Sequence, residues 1–205
     1  MAAVVTGKRR PVRPDSLNVV RGRHTRQRIL DAARASILRA GYENLRLDAL
    51  ARDVGVTKAA VIKSVGGKAS ILLELGDEDR QHRLRVIREA IPLRTALPRR
   101  LADVAREALA IDGARLNVAM AYMGHLWFWT GADHLRAQSM LDETRARLRE
   151  LIAVASRTPL SAARADTIAL RMMSGYALAL RDLYYGRATA EEAVRLVTEH
   201  ALDPP

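Results

Sequence analysis

Apolar positions recur at helical spacing almost from end to end of the chain. Ile29, Ala33, Ile37 and Ala40 share one face behind Thr25, and Gly41 stops the run. This predicts a first helix capped by Thr25. Leu47, Leu50, Ala51 and Val54, at i, i+3, i+4 and i+7, predict a short amphipathic second helix, and Val54-Gly55-Val56 a tight turn. Thr57 is the expected N-cap of a third helix, which runs to about Val65 and ends at Gly66-Gly67. Val61 and Val65 turn inward, leaving Lys58, Ala59, Ile62 and Lys63 facing solvent. So short a helix is unstable alone. It must pack on the first two, and the second and third together read as a helix-turn-helix.

The periodicity continues downstream. A fourth helix is expected from Lys68 to about Ile91, stopped by Pro92, and a fifth over about Pro98–Ile111 with Asp112-Gly113 as its exit. Val118 to Trp129 reads VAMAYMGHLWFW, apolar on all sides and therefore expected to be a helix buried all round. A long amphipathic helix over about Asp133–Arg157 follows, with Arg136, Arg145, Arg147 and Arg149 on its solvated side. The stretch 161–186 is a further long helix with a stripe of small residues at Gly175, Ala177 and Ala179. Thr189 and Glu192 have the spacing of a capping box, opening a last helix to about Ala201. No segment alternates in the manner of a strand, so the expected class is all-α. Residues 1–22 hold Gly7, Pro11, Pro14 and Gly22 with no helical period, and predict a flexible basic arm.

Composition sharpens this picture. Alanine, leucine and arginine, all strong helix formers, make up close to half of the 205 residues. The chain has no cysteine, which excludes disulfides, thiolate metal sites and cysteine nucleophiles and suits a reducing cytoplasm. No apolar run approaches the length of a membrane span. Charge is unevenly placed: residues 1–70 hold 15 Lys+Arg against 5 Asp+Glu, and residues 71–205 hold 19 against 18. A front end of net +10 on a nearly neutral body points to a polyanion partner for the front end, double-stranded DNA in particular. Catalytic signatures are lacking. The five histidines form no ligand spacing, and no nucleophile elbow, phosphate loop or dinucleotide fingerprint occurs. Neither enzyme, metal nor cofactor is expected.

The stretch TRQRILDAARASILRAGYENL through LDALARDVGVTKAAVIKSVGGKASIL resembles the DNA-binding domain of the TetR (tetracycline repressor) family. Thr25-Arg26, Ile29-Leu30, Ala32-Ala33, Gly41-Tyr42, Leu50-Ala51, Gly55-Val56-Thr57-Lys58 and Lys68 carry the likeness. The chain departs from the pattern at Ile62, where the family has a backbone-contacting tyrosine. It departs again at Val65, an anchoring aromatic, and at Arg46, a Thr or Ser cap. The resemblance implies a basic arm (1–22), a helix-turn-helix domain (23–80) and a helical effector-binding and dimerisation domain (81–205). It implies a homodimer, paired through the last two helices, on a palindromic operator. Repression would then be relieved by a small molecule. The expected DNA-binding set is Arg23, Thr25, Arg46, Thr57, Lys58, Ala59, Ile62, Lys63 and Lys68, with the arm as an auxiliary clamp. In the body, Met120, Tyr122, Met123, His125, Trp127 and Trp129, met by Met173 and Tyr176, are expected to line a pocket for a largely apolar or aromatic effector. Two other classes remain open: an interaction module of the same fold without sequence-specific DNA binding, and a small-molecule carrier or enzyme.

Overall fold

The computed structural model describes residues 17–90, 96–126, 128–155 and 160–203. Among them the regular structure is helical: α1 (Leu17–Ala40), α2 (Leu47–Val54), α3 (Lys58–Val65), α4 (Lys68–Ala90), α5 (Leu97–Gly113), α6 (Leu116–His125), α7 (Gly131–Ala155), α8 (Ala162–Tyr184) and α9 (Ala190–Leu202), with a 3-10 turn at Tyr42–Asn44. No described helix is long and apolar enough to cross a membrane. Ile29, Leu30, Ala33 and Ile37 of α1, Leu50, Ala51 and Val54 of α2, and Val61 and Val65 of α3 close over Ile71, Leu72, Leu73 and Leu75 of α4 as the core of an N-terminal head, which Val118 and Tyr122 of α6, Trp129, and Ala137 and Met140 of α7 join from the body side. A second core, in the body, joins Leu101, Val104 and Leu109 of α5 to Ile168 and Met172 of α8 and to Val194 and Val197 of α9. Ile87, near the far end of α4, belongs to this second core. The passage from head to body therefore runs along α4, flanked by direct packing of α6 and α7 on the head core.

Four expectations need correction. First, α1 begins at Leu17 rather than at Thr25, so Thr25 sits inside a helix and caps nothing. Val19 and Val20 are exposed, so core burial does not drive this extension. Once nucleated on the core, the helix adds one hydrogen bond for each residue fixed. Residues 17–22 of the expected arm are thus helical, while 1–16 lie outside the described residues.

Second, the apolar stretch 118–129 is not one helix buried all round. α6 ends at His125, and only Val118, Ala119 and Tyr122 of it are buried. The chain then turns, with Phe128 N–H donating to the His125 carbonyl at 2.9 Å. Phe128 emerges 75% exposed. The turn folds Trp129 back on Tyr122, their ring centroids 5.2 Å apart.

Third, Arg136 and Arg145 of α7 do not lie on a solvated face. Arg136 pairs with Glu74 and Asp77 of α4, and Arg145 with Asp166 of α8, because α7 packs between those helices. Arg147 and Arg149 are exposed as expected. Fourth, Gly175 and Ala179 are buried within the chain, so they belong to its own core and not to a seam with a second copy. A Cβ at Gly175 would stand 3.2 Å from His200 and 3.3 Å from the Val197 Cα of α9. The capping box of Thr189 and Glu192 is present at the start of α9.

Among the described glycines, Gly76 marks the closest approach, of α6 against α4. A Cβ at Gly76 would lie 2.0 Å from the Tyr122 ring. Gly76→Ala gains helix propensity worth about 1 kcal/mol but overpacks a site whose occupant is a rigid aromatic ring, at a cost of about 1–3 kcal/mol or more. The denaturation midpoint in urea should fall. An unchanged or raised midpoint would show that the ring is free to leave.

Candidate functional site

The exposed face of the head is built from the turn outward. Gly55 takes φ 72°, ψ 39°, the left-handed conformation that suits glycine, and reverses the chain between α2 and α3. Thr57 Oγ1 accepts from the Ala60 N–H at 3.1 Å and caps α3. Val61 and Val65 hold α3 to the core, so Lys58, Ala59, Ile62 and Lys63 face solvent together, with Ile62 47% exposed. Lys58 Nζ is 3.2 Å from Asp48 of α2 in an exposed pair worth little. Lys63 is exposed. Arg46, also exposed, is the N-cap residue of α2 without a side-chain capping bond.

The remaining expected residues do not join this face equally. Lys68 is drawn back over the head: its Nζ donates to the Glu43 carbonyl at 3.0 Å and stands 4.4 Å above the Tyr42 ring. Burial, with Glu43 beside it, pushes the Tyr42 phenol up to about 12. Arg23 is exposed on α1, and Thr25 is half-buried inside that helix. Of the arm expected to act as a clamp, Arg21 is exposed on α1, and residues 1–16 lie outside those described.

Two residues outside the expected DNA-binding set fix the face in place. Arg26 donates to the Ser64 carbonyl at 2.5 Å and Arg28 to the Val54 carbonyl at 2.7 Å. Each α1 guanidinium thus meets the carbonyl end of a neighbouring helix, where unpaired C=O groups and the helix dipole favour a cation. Arg26 also pairs with Glu74 of α4 at 2.6 Å, and Glu74 accepts Arg136 of α7 on its other oxygen. Further along, Arg34 of α1 reaches Glu78 at 3.0 Å and Asp79 at 3.1 Å, and Asp79 also takes Arg115 from the α5–α6 junction. Helical spacing marks such arginines only as polar. Their partners lie tens of residues away.

The body holds a cavity of about 20 Å³, room for roughly one water. Gly76, Asp79, Arg83, Asp112, Tyr122 and Tyr176 form much of its wall. Arg83 is 2.5 Å from Asp112, and the Tyr176 hydroxyl donates to Asp112 at 2.6 Å and to the Ala108 carbonyl at 3.1 Å. Burial holds the Tyr176 phenol well above its ordinary value.

Of the expected effector residues, only Tyr122, Met123 and Tyr176 reach this cavity. Met120 and Met173 pack into the body core. His125 and Trp129 lie toward the head, where the His125 ring meets Tyr42 edge-on at 4.7 Å. Trp127 is outside the described residues. An apolar aromatic cage was expected, whereas the wall carries two carboxylates and a guanidinium. A signal for one of them was present: Asp112 continues the apolar stripe of Leu101, Ala105 and Ala108 on α5, and a carboxylate on a core stripe announces a buried partner.

A capped short helix set behind a glycine turn, displayed on a head that an arginine-fastened helix joins to a helical body, defines a helix-turn-helix protein. Residues 29–75 match the family model of bacterial regulatory proteins, tetR family, so this segment is a tetR-family domain. Solved structures share the fold over most of the chain. The TetR-family transcriptional regulator PfmR from Thermus thermophilus is 19% identical, covers 85% of this chain and 97% of its own, and superimposes with a TM-score of 0.61. The transcriptional regulator FadR from Bacillus subtilis, solved in complex with stearoyl-CoA, is 15% identical at 85% and 98% coverage with a TM-score of 0.64. A TetR transcriptional regulator from Nitrosomonas europaea is 17% identical at 86% and 95% coverage with a TM-score of 0.60. No curated protein sequence matches the chain.

The shared carboxylate Glu74 makes stability depend on pH. Burial alone would raise its pKa, but the hydrogen bonds and charges of Arg136 and Arg26 outweigh burial and hold it below the ordinary 4.5. A folded-state pKa below the unfolded one gives stability that is complete above about 4.5 and lost as pH falls through the folded value. The difference in urea midpoint between wild type and Glu74→Gln should therefore be full at pH 6–7 and shrink in acid. A difference that stays constant down to pH 3 would contradict the pairing.

Proposed function

We propose that the protein is a homodimeric, effector-responsive transcriptional regulator, a repressor in its simplest form, that places α3 of each copy in the major groove of a palindromic operator. One observation carries the reading. The face displayed by the Thr57 cap and the Gly55 turn is a clean strip of Lys58, Ala59, Ile62 and Lys63, on the part of the chain that holds +10 of the net +11 charge. Lysine supplies phosphate grip, and Ile62, having no donor, reads by apolar contact such as that with a thymine methyl. Arg46 and Thr57 stand at helix N-termini, where backbone amides also attract phosphate. Lys68 fits the contact set less well, since its amine is already held over the head, and Thr25 is half-buried within α1.

Pairing of two copies would use the outward side of α8, where Leu170 and Leu178 are exposed, with Tyr185 exposed just past the helix end. A self-complementary patch of that kind closes a twofold dimer. It would set the two recognition helices one turn of DNA apart, about 34 Å. That a protein of this fold has been solved with stearoyl-CoA supports an effector-binding body. Here the effector would open the cavity at Tyr122 and Tyr176, its apolar part against Val118 and Met123 and its polar group toward Arg83 and Asp112. The second reading, an interaction module, draws on Ile62, the exposed apolar side chain in the middle of the face. It predicts only salt-sensitive binding that ignores sequence.

Fluorescence anisotropy with DNA from upstream of the protein's own gene decides between them, specific competition supporting the regulator. In the same assay Lys63→Ala should weaken binding to every sequence and flatten the slope of log affinity against log salt by about one unit. An unchanged slope would remove Lys63 from the interface.

A further inference from the structure

We propose that Arg136 and Arg115, two arginines of the body, determine operator specificity at a distance by fixing the orientation of the head through carboxylates of α4. This rests on the DNA-binding reading above. Glu74 is shared between Arg26 of the head and Arg136 of α7, and Asp79 between Arg34 of the head and Arg115 beside α6. The two carboxylates are five residues apart, about 7.5 Å along α4 and well over a quarter-turn around it. Their head partners are eight residues apart on α1, about 12 Å. One shared carboxylate would act as a swivel. Two, on different sides of α4, add directional restraints to the apolar contacts that α6 and α7 make with the head core.

The first tie reaches the DNA-facing helix directly. Arg26 holds Glu74 with one nitrogen and the Ser64 carbonyl in the last turn of α3 with the other. A chain of charge-assisted bonds therefore runs from Arg136 through Glu74 and Arg26 to the end of the recognition helix. Arg136 is itself forked, reaching Asp77 at 3.0 Å as well as Glu74, so its own position is set at two points. The Ser70 hydroxyl adds a further link, donating to the Asp133 carboxylate at 2.7 Å. Asn117 adds another, to the Leu38 carbonyl at 3.2 Å. Arg136 and Arg115 are positioning residues: neither belongs to the exposed face of α3, and both act through a carboxylate that the head also uses.

The absence of cysteine from the chain makes the geometry directly measurable. Asp53→Cys on the head and Glu191→Cys on α9 are exposed labelling positions. Double electron–electron resonance on the full chain, diluted with unlabelled protein, gives one head-to-body distance distribution. Wild type should be narrow. Arg136→Gln and Arg115→Gln should each broaden it, and the double variant should broaden it most. Arg147→Gln, which loses only an exposed pair with Glu150, should leave it narrow. In the anisotropy assay Arg136→Gln should lower affinity for the operator about fivefold or more, the scale of a coupling energy, while affinity for unrelated DNA stays unchanged. An unbroadened distribution in Arg136→Gln, or equal losses on both DNAs, would overturn the proposal. A wild type that discriminates no operator would refute the DNA-binding reading instead, and the distance measurement would still decide whether the arginines orient the head.

Discussion

The architecture depends on carboxylates that serve two masters. α4 carries Glu74, Asp77, Glu78 and Asp79 within six residues, an arrangement that repels itself unless cations neutralise it. Arg80 of α4 itself answers Asp77, and the other cations come from α1 on one side and from α5–α7 on the other, so most of the neutralising of α4 also joins head to body. The two apolar cores also meet across the junction, where α6 and α7 contribute to the head core and Met123 packs against both. Their relative orientation could not be set by hydrophobic contact alone, which is non-directional, whereas hydrogen bonds to a carboxylate are directional and a guanidinium fork is more so.

Buried charge is a poor source of net stability, because desolvation takes back much of what attraction gives. Asp79, its side chain only 5% exposed, keeps two arginines, and Asp112 keeps an arginine and a tyrosine hydroxyl. Apolar residues of similar volume would serve the core at least as well in energy. What the polar groups add is a single satisfied arrangement, since any shift of α4 against α1, α5 or α6 strands a buried charge. The small cavity beside Asp112 and Arg83 lies in this network, so an occupant there would compete for the same bonds that hold α4. A route from body to head follows from shared partners, with no need for a large motion to begin it.

The fold was largely legible from residue spacing, because helical periodicity and caps are local. Thr57, Gly55 and the Thr189–Glu192 box stand where local rules put them, and α2 and α3 have their expected limits. Misreadings arose where a local rule was asked a tertiary question. The stretch after His125 is apolar enough for a buried helix, yet its turn sends Phe128 out and Trp129 back. Thr25 has the chemistry of a cap, yet a helix already running past it needs none. The exposed strip on α3 was readable because a short helix anchored by Val61 and Val65 has only one other side. The cavity was not, because Asp79, Arg83, Asp112 and Tyr176 come from three helices, and only Asp112 betrays itself by sitting on an apolar stripe.

The early start of α1 changes the thermodynamics of whatever the head approaches. Arg21 and Arg23 ride on a helix that projects beyond the head core, not on loose chain. Ordering the backbone of a flexible segment at the moment of association costs about 1–2 kcal/mol for each residue fixed, and for residues 17–22 that ordering is already complete in the free protein. Only side-chain rotamers remain to be restricted, so the cations of this rod are presented at a set height and bearing. A rigid projection of this kind also excludes: a surface that does not leave it room is rejected by steric overlap, before any base is read.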